Sequence, residues 1–180
     1  MKSRQEQIIA AAIPLFLDEG VSASTARIAK AAGVSNGTLF NVFATKQDLI
    51  DAIYRKTKTD MLVHWPNPEG RPLDRAQARA NWDAYLTWAR QAPLDHKAMH
   101  LLKDAGLASS AVTAEVDAFL APYAQPLLDA YDTGAIRGPS VGYINDLIFA
   151  QLDLVIEHDL TAEEEDLAFD MLCTSIGLNQ

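Results

Sequence analysis

Apolar residues recur every three or four positions along most of the chain, which is the spacing of helices with one buried face. Runs that alternate strictly between apolar and polar residues are too short to predict a sheet strand. We therefore predict an all-α protein of about nine helices. The first covers about residues 3–19 and stops at Gly20. Pro14 interrupts it, which predicts a kink near residues 10–14 or a different boundary.

Three further helices are predicted next, each with a hydroxyl side chain at its start that can cap the first turn. Gly33 separates the first two of them, so the chain can reverse its direction there. The three helices cover about residues 25–32, 36–42 and 46–63. Ser24 and Thr25 are both available to cap the first of them, and Ser35 and Thr45 precede the other two.

Residues 65–72 contain three prolines and a glycine, a composition that no regular element tolerates. This is the strongest internal break in the chain. Pro122 and Pro126 are potential breaks in a later helix, and Thr161 with Glu164 predicts a capping box at the start of the last helix. The helices predicted beyond the break cover about residues 74–91, 95–106, 112–132, 141–158 and 162–178.

The second and third helices are separated by Ala-Gly-Val-Ser at residues 32–35, which suits the turn of a helix-turn-helix. Gly33 allows a left-handed turn, Val34 fills the angle between the helices, and Ser35 caps the second of them. A helix held at this angle presents its N-terminal residues to base edges in a DNA major groove. The apolar side chains expected to hold the pair together are Ile28, Ala29, Val34, Leu39 and Phe43.

Residues 25–49, TARIAKAAGVSNGTLFNVFATKQDL, resemble the DNA-binding segment of the tetracycline-repressor (TetR) family of regulators. That segment usually has the pattern T-x-x-I-A-x-x-A-G-V-S-x-G-T-L-Y-x-Y-F-x-S-K-x-x-L. More than a dozen residue types coincide at fixed spacing, and the resemblance extends over about residues 8–54. It implies a DNA-binding head of three helices plus a connecting helix, followed by a helical regulatory domain.

Carried over position by position, the resemblance implies that Thr25 and Lys46 meet DNA phosphates and that Thr38 reaches a phosphate or a base edge. Asn36 and Asn41 have the chemistry to pair with adenine. The complete predicted DNA-contacting set is Thr25, Arg27, Ser35, Asn36, Gly37, Thr38, Phe40, Asn41 and Lys46.

Two departures from the family pattern matter for DNA contacts. Tyrosines are usual where this chain has Phe40 and Val42, so two hydroxyls that would contact DNA are absent. Phe40 can pack on a thymine methyl group or within the protein, and Asn41 can face a base or only solvent. Val42 is interpreted as packing, and Arg4 and Arg27 are candidates to replace the missing phosphate contacts.

The net charge of −9 over 180 residues argues by itself against a nucleic-acid partner. Residues 1–60, however, hold eight basic and six acidic side chains, whereas the remaining residues hold seven and eighteen. A mildly basic end on an acidic body suits a molecule that approaches DNA in one orientation, although acidic solubility produces the same split. The single cysteine, Cys173, and the lack of a long apolar run predict a cytoplasmic protein without a disulfide or a membrane segment.

The resemblance implies that the region behind the break dimerises through its last two helices and holds an effector pocket among the earlier ones. Both helices carry apolar stripes that could form a four-helix bundle between two subunits or fill the core of one. The stripes consist of Ile144, Leu147, Ile148, Gln151, Leu152 and Val155 on one helix and of Leu167, Ala168, Met171, Leu172 and Ile176 on the other.

The candidate effector contacts are aromatic, methionine and leucine side chains, which suit a mostly apolar ligand but are also common in plain cores. They are Trp82, Tyr85, Leu86, Met99, Leu102, Phe119, Tyr123 and Tyr143. His96, His100 and Asp104 follow each other at one-turn spacing and form a weak candidate for a metal-binding face. Because no nucleophile with a base, phosphate-binding glycine loop or metalloprotease motif is present, we expect no enzyme and no cofactor.

The leading hypothesis is a repressor that binds palindromic double-stranded operator DNA as a homodimer and is released by a small, largely apolar effector. It divides the chain into a helix-turn-helix DNA-binding domain at residues 1–46 and a regulatory, ligand-binding and dimerisation domain at residues 47–180. The alternative from another class is a helical ligand-binding or interaction protein without operator binding. A metal-dependent enzyme built on the two histidines is the third hypothesis.

Overall fold

The computed structural model of this chain describes residues 3–67 and 70–178. Within these residues the regular structure is entirely helical, so the predicted all-α class is confirmed. A short 3₁₀ turn, Leu62–His64, follows the fourth helix. The helices are α1 (Arg4–Glu19), α2 (Thr25–Ala31), α3 (Asn36–Val42), α4 (Lys46–Met61), α5 (Arg75–Gln91), α6 (Pro93–Asp104), α7 (Ser110–Asp132), α8 (Val141–Glu157) and α9 (Ala162–Ile176).

The predicted helix starts are confirmed by side-chain caps. Ser24 and Ser35 each accept a hydrogen bond from the backbone amide three residues on. Thr45 and Asp48 cap each other reciprocally at the start of α4, and Thr161 forms the expected capping box with Glu164. These contacts span three residues, which is why the local sequence predicts them.

The prolines do not end the helices that contain them. Helix α1 continues through Pro14, and α7 continues through Pro122 and Pro126, so the expected breaks in α7 were wrong. In α1 the neighbouring Ile13 and Phe16 are buried. Packing of that apolar face stabilises the helix by more than the loss of one backbone hydrogen bond costs.

The chain forms two compact units, and the first contains residues 3–60 and 92–117. Helix α1 packs against α2, α3 and α6 within it. The core of this unit includes Ile8, Ala12, Phe16, Ile28, Leu39, Leu49, Ile53, Met99 and Leu102, all buried. Residues from α6 therefore complete the core beneath the first four helices, while the functional division at residue 46 remains a prediction.

The second unit contains residues 61–67, 70–91 and 118–178, in which α5, α8 and α9 pack on one another. Trp82 on α5 meets Phe169 on α9 edge to face, with ring centroids 5.6 Å apart. Three arginines of α5 form ion pairs with acidic residues of α9: Arg75 with Asp170, Arg79 with Asp166, and Arg90 with Glu165. The break predicted at residues 65–72 falls partly on residues 68–69, which lie outside the described residues.

No helix in the described part of the chain is both long and apolar enough to cross a lipid bilayer.

Candidate nucleic-acid interface

The turn between α2 and α3 is built around Gly33, whose φ of +68° lies in the left-handed region. Val34 donates its backbone N–H to the carbonyl of Ala29 at 3.0 Å, which closes the end of α2. A residue with a Cβ would be strained at position 33, so glycine permits this reversal of the chain.

Helix α3 is held by a cap at one end and by buried side chains along one face. The Ser35 hydroxyl accepts a hydrogen bond from the Thr38 amide at 3.0 Å and shares a second with the Thr38 hydroxyl at 2.8 Å. Leu39 and Phe43 are buried, as expected from the sequence, and Val34 is half-buried. The two short helices therefore present one fixed face of α3 to solvent.

That exposed face carries Asn36, Gly37, Phe40 and Asn41, which recur at the four-residue spacing of one helix side. The Phe40 side chain is 42% exposed, while Val42 is half-buried. Exposure leaves these side chains accessible to a partner, and their contacts with DNA remain predictions.

Arg27 forms an ion pair with Glu19 at the end of α1, with 2.5 Å between Nη1 and Oε2. The Arg27 side chain remains 61% exposed. The other carboxylate oxygen of Glu19 is buried and accepts no hydrogen bond from the described residues. A phosphate approaching Arg27 would therefore share the guanidinium with a carboxylate that has no other partner.

Lys46 has a structural contact that the sequence did not predict. Its ammonium group donates to the backbone carbonyl of Ala23 at 2.5 Å and lies 5.8 Å from the centroid of the Phe16 ring. The side chain is half-buried. Lys46 therefore anchors the start of α4 to the connection between α1 and α2.

A second group of polar contacts ties α4 to the segment between α6 and α7. The Asp51 carboxylate accepts hydrogen bonds from the amide of Ser109 at 2.9 Å and from its hydroxyl at 2.5 Å. Arg55 donates two hydrogen bonds to Glu115, both at 2.7 Å, and Gln47 donates to the Leu107 carbonyl at 2.9 Å. Sequence reasoning missed these pairs because their members lie 58 to 60 residues apart.

The hydrogen bonds at Asp51 affect its protonation. Burial by itself would raise the pKa of this carboxyl group, but the donors of Ser109 and Gln47, together with the Arg55 charge, hold it below its usual value. Because the folded-state pKa is depressed, the contribution of Asp51 to stability is present above pH about 4 and is lost as the pH falls further.

Residues 8–53 match the family model described as bacterial regulatory proteins, tetR family. The chain therefore carries a DNA-binding segment of the tetR family at these residues. The matched residues run from the buried face of α1 through the helix-turn-helix into α4, so the family match covers the surface described above.

A curated relative in this family is the HTH-type transcriptional repressor KstR2 of Rhodococcus jostii (strain RHA1). It is 30% identical over 103 residues, which are 56% of this chain and 49% of the relative. The chain thus spans about half the length of this curated relative.

Solved structures of tetR-family proteins share the fold over nearly the whole chain. A putative regulator from Shewanella sp. PV-4 superimposes with a TM-score of 0.79 at 22% identity, covering 97% of this chain and 98% of that one. AibR, crystallised with isovaleryl coenzyme A and operator DNA, superimposes with a TM-score of 0.68 at 17% identity, covering 97% of this chain and 99% of that one. At these identities the likeness shows the fold alone.

The predicted effector contacts fall into separate environments. In the second unit Trp82, Tyr85 and Leu86 are buried, whereas Phe119 and Tyr143 are exposed and Tyr123 is half-buried. In the first unit the buried members of the set are Met99 and Leu102.

The second unit contains a cavity of about 600 Å³, and none of the predicted effector contacts lines it. It lies between residues 70–73 and the C-terminal half of α7. Its lining includes Arg71, Pro72, Leu73, Pro122, Gln125, Pro126 and Asp129. Periodicity predicted which effector candidates are apolar and helical, but not which of them border a cavity.

Tyr85 is the most buried of the large polar side chains in the second unit. Its hydroxyl donates to Asp153 at 3.2 Å, and its ring meets Trp88 and Phe149 edge to face. Burial, and then the negative charge of Asp153, raise the pKa of Tyr85 far above its usual value. Tyr85 is thus a neutral hydrogen-bond donor within an aromatic cluster.

The two histidines of α6 lie together, with ring centroids 4.6 Å apart and the planes edge to face. Asp104 lies outside the distance at which it could share a metal ion with them. The weak candidate of a metal-binding face formed by His96, His100 and Asp104 gains no support, because the exposed carboxylate at the end of the helix does not converge on the imidazoles.

Proposed function

We propose that this protein is a sequence-specific DNA-binding transcriptional regulator, acting as a repressor that a small, largely apolar effector releases from its operator. The observation that carries the proposal is the fixed, exposed face of α3 with Asn36, Phe40 and Asn41. A capped helix held on a helix-turn-helix scaffold by buried Leu39 has the geometry that enters a major groove.

The same proposal requires a homodimer, and the last two helices carry a surface suited to it. The predicted stripes divide in two: Leu152 and Leu172 are among the members buried in the unit's own core, whereas Leu167 and Met171 are 62% and 58% exposed. Gln151 donates to the Ala168 carbonyl at 2.5 Å, so α8 and α9 are joined beside this exposed part. Two copies of the exposed face would form a four-helix bundle with twofold symmetry, which matches a palindromic operator.

An effector site is supported by a buried donor in the second unit. The indole N–H of Trp82 is buried and meets no hydrogen-bond acceptor among the described residues. A ligand with an acceptor atom would satisfy it, while the neighbouring Phe169 ring suits an apolar body. AibR, which shares the fold, was crystallised with isovaleryl coenzyme A and operator DNA. Because the isovaleryl end of this thioester is small and apolar, although its coenzyme A end is polar, it is a reasonable first probe.

Release would follow from a change in the distance between the two recognition helices of the dimer. Successive major grooves on one face of DNA lie about 34 Å apart, so a shift of a few ångströms disturbs both half-sites. Helix α4 begins beside the helix-turn-helix, and its last residue, Met61, belongs to the second unit. It is the element that we expect to transmit the change.

The proposal is tested by mobility shift of the full chain on DNA flanking its own gene, at stated salt concentrations and with excess competitor DNA. Retention of one fragment despite the competitor is the expected result. If the competitor DNA displaces every fragment equally, the result would instead favour the alternative, a helical ligand-binding or interaction protein without operator binding.

Effector release predicts reciprocal coupling. If isovaleryl coenzyme A or another ligand lowers operator affinity by a given factor, saturating operator should lower the affinity for that ligand by the same factor. Titration calorimetry of the ligand with and without operator measures this factor. A ligand whose affinity is unchanged by operator would contradict the proposed release from DNA. It would not contradict DNA binding itself.

Lys46→Ala should weaken binding to all DNA sequences alike and also lower the stability of the free protein. The stability loss, about 1–3 kcal/mol, arises because the carbonyl of Ala23 loses its donor in a partly buried place. Urea denaturation and the salt dependence of DNA binding separate the two effects. Lys46→Met is the matched control, since it retains a long apolar stem beside Phe16 without the ammonium group.

If Lys46 also meets a phosphate, both variants should flatten the salt dependence by about one contact. A loss of affinity confined to some sequences would contradict a phosphate role.

A further inference from the structure

The helix expected to enter the major groove carries no charge. Helix α3 contains neither an acidic nor a basic residue between Asn36 and Val42. Its exposed face offers two carboxamides, one aromatic ring and the backbone of Gly37. Base recognition by this helix therefore depends on neutral groups.

The two carboxamides favour one base over the others. An asparagine carboxamide matches adenine in the major groove, because its nitrogen donates to the N7 acceptor while its oxygen accepts from the N6 amino group. Guanine presents two acceptors, which arginine or lysine satisfies best, and cytosine presents a donor that suits a carboxylate. Neither a cation nor a carboxylate is present on the exposed face of α3.

The Phe40 ring favours the same base pair, while the Thr38 hydroxyl already has a partner within the protein. Phe40 is 42% exposed and has no polar atom, so the group it can recognise in the groove is the thymine methyl. The Thr38 hydroxyl is already bonded to the Ser35 hydroxyl at 2.8 Å. The side chains of this face that remain available to contact bases are thus Asn36, Phe40 and Asn41.

The cations of the helix-turn-helix lie outside α3, and two of them already have partners. Arg27 on α2 is paired with Glu19, and Lys46 on α4 is bonded to the Ala23 carbonyl. Lys30, also on α2, is exposed. Cations on these flanking helices suit phosphate contacts, which position a protein on DNA without reading its sequence.

We propose that α3 reads A·T base pairs: Asn36 and Asn41 pair with adenine, and Phe40 packs on a thymine methyl group, without a guanine contact from this helix. The inference rests on the proposed function and names the class of operator that it requires. Seven helical residues extend about 10 Å, which corresponds to about three base-pair steps. Each half-site should therefore contain a core of about three A·T pairs.

The first test is selection of binding sites by the full-length protein from a random duplex library. The expected result is an enriched pair of half-sites in which the most strongly selected positions are A·T. Enriched half-sites with G·C at those positions would overturn this inference and leave the proposed function standing. No enrichment of any sequence would mean that the proposed function itself fails, and the base-reading inference with it.

The second test removes single recognition atoms from the selected DNA. Replacing thymine by uracil removes the methyl group, and at one position per half-site it should weaken binding about four-fold, the effect of burying one such group. Replacing adenine by 7-deazaadenine removes the N7 acceptor and should weaken binding about ten-fold at the positions paired with asparagine.

Variants of exposed residues assign each effect to its side chain. Phe40→Ala should bind the thymine and uracil duplexes equally, whereas Phe40→Leu should retain part of the preference for thymine because it keeps an apolar group. Asn36→Ala and Asn41→Ala should each become insensitive to 7-deazaadenine at one position. Lys30→Ala is the control, because loss of an exposed cation on α2 should lower the affinity for every duplex by the same factor.

Unchanged discrimination between thymine and uracil in Phe40→Ala would refute the methyl contact. Unchanged sensitivity to 7-deazaadenine in both asparagine variants would refute adenine reading. Thermal unfolding of each variant confirms that these exposed substitutions leave the fold intact.

Discussion

The double substitution Leu167→Glu and Met171→Glu should convert the protein into a folded monomer and abolish tight operator binding. Both side chains are exposed in the single subunit, so the charges cost little before association. In the proposed dimer they would place four carboxylates in an apolar interface, where unpaired charges are expensive to bury. Analytical ultracentrifugation measures the loss of the dimer directly.

Operator affinity should fall at least about 100-fold in the same variant, because a monomer engages one half-site and loses the effective concentration that links two heads. Val63→Glu provides the control: Val63 is 71% exposed but lies in the turn after α4, outside the proposed interface. It should remain a dimer with full affinity. If the double variant still sediments as a dimer, the dimer interface does not lie on the exposed face of α8 and α9.

Lys58→Met should stabilise the fold at pH 7 by about 2 kcal/mol, a large effect for the loss of one charge. The ammonium group lies 5.8 Å from the centroid of the Tyr54 ring and forms no ion pair with a described residue. Burial, and then the positive charge of Lys103, lower the pKa of Lys58 to about 8, while Asp117 acts in the opposite direction. The charged lysine is therefore less stable in the folded state than in water.

The pH dependence follows from this shift. The unfolded chain binds the proton of Lys58 more tightly than the folded chain does, so the cost is complete below pH about 8 and fades as the pH rises towards about 10. Urea denaturation of both proteins at pH 7 and pH 9.5 should show the advantage of Lys58→Met shrinking with pH. An equal gain at both values would indicate better packing rather than removal of a buried charge.

Lys56, two residues away on the same helix, shows what Lys58 lacks. Burial would lower its pKa as well, but hydrogen bonds to Asp60 and Asp95, both at 2.7 Å, raise it above its usual value instead. Lys30→Met, the same substitution at an exposed position, is the control.

Contacts that close over three or four residues were predictable from the sequence. The caps at Ser24, Ser35 and Thr161, the turn at Gly33 and the buried Leu39 all depend on residue types at short spacing. The prolines of α7 show the limit of local rules, since tertiary packing outweighs a single missing hydrogen bond.

Contacts between distant residues were not predictable from one sequence. The bond from Lys46 to Ala23 and the pairs formed by Asp51 and Arg55 depend on which helices meet and at what rotation. Spacing also does not separate a core stripe from an interface stripe. In α9, Leu172 and Met171 are adjacent in sequence, yet the first is buried and the second is exposed.

The discontinuous first unit has a consequence for synthesis of the protein on the ribosome. Its helices α1 to α4 are made by residue 61, but the unit also needs Met99 and Leu102 of α6 and the residues up to 117. At about 5–20 residues per second, the ribosome takes roughly 3–11 s to add that missing part. During this interval the apolar face of α1 lacks its α6 neighbour, so a nascent chain stalled after residue 60 should depend on chaperones and be cut readily by proteases, whereas one stalled well beyond residue 117 should resist them.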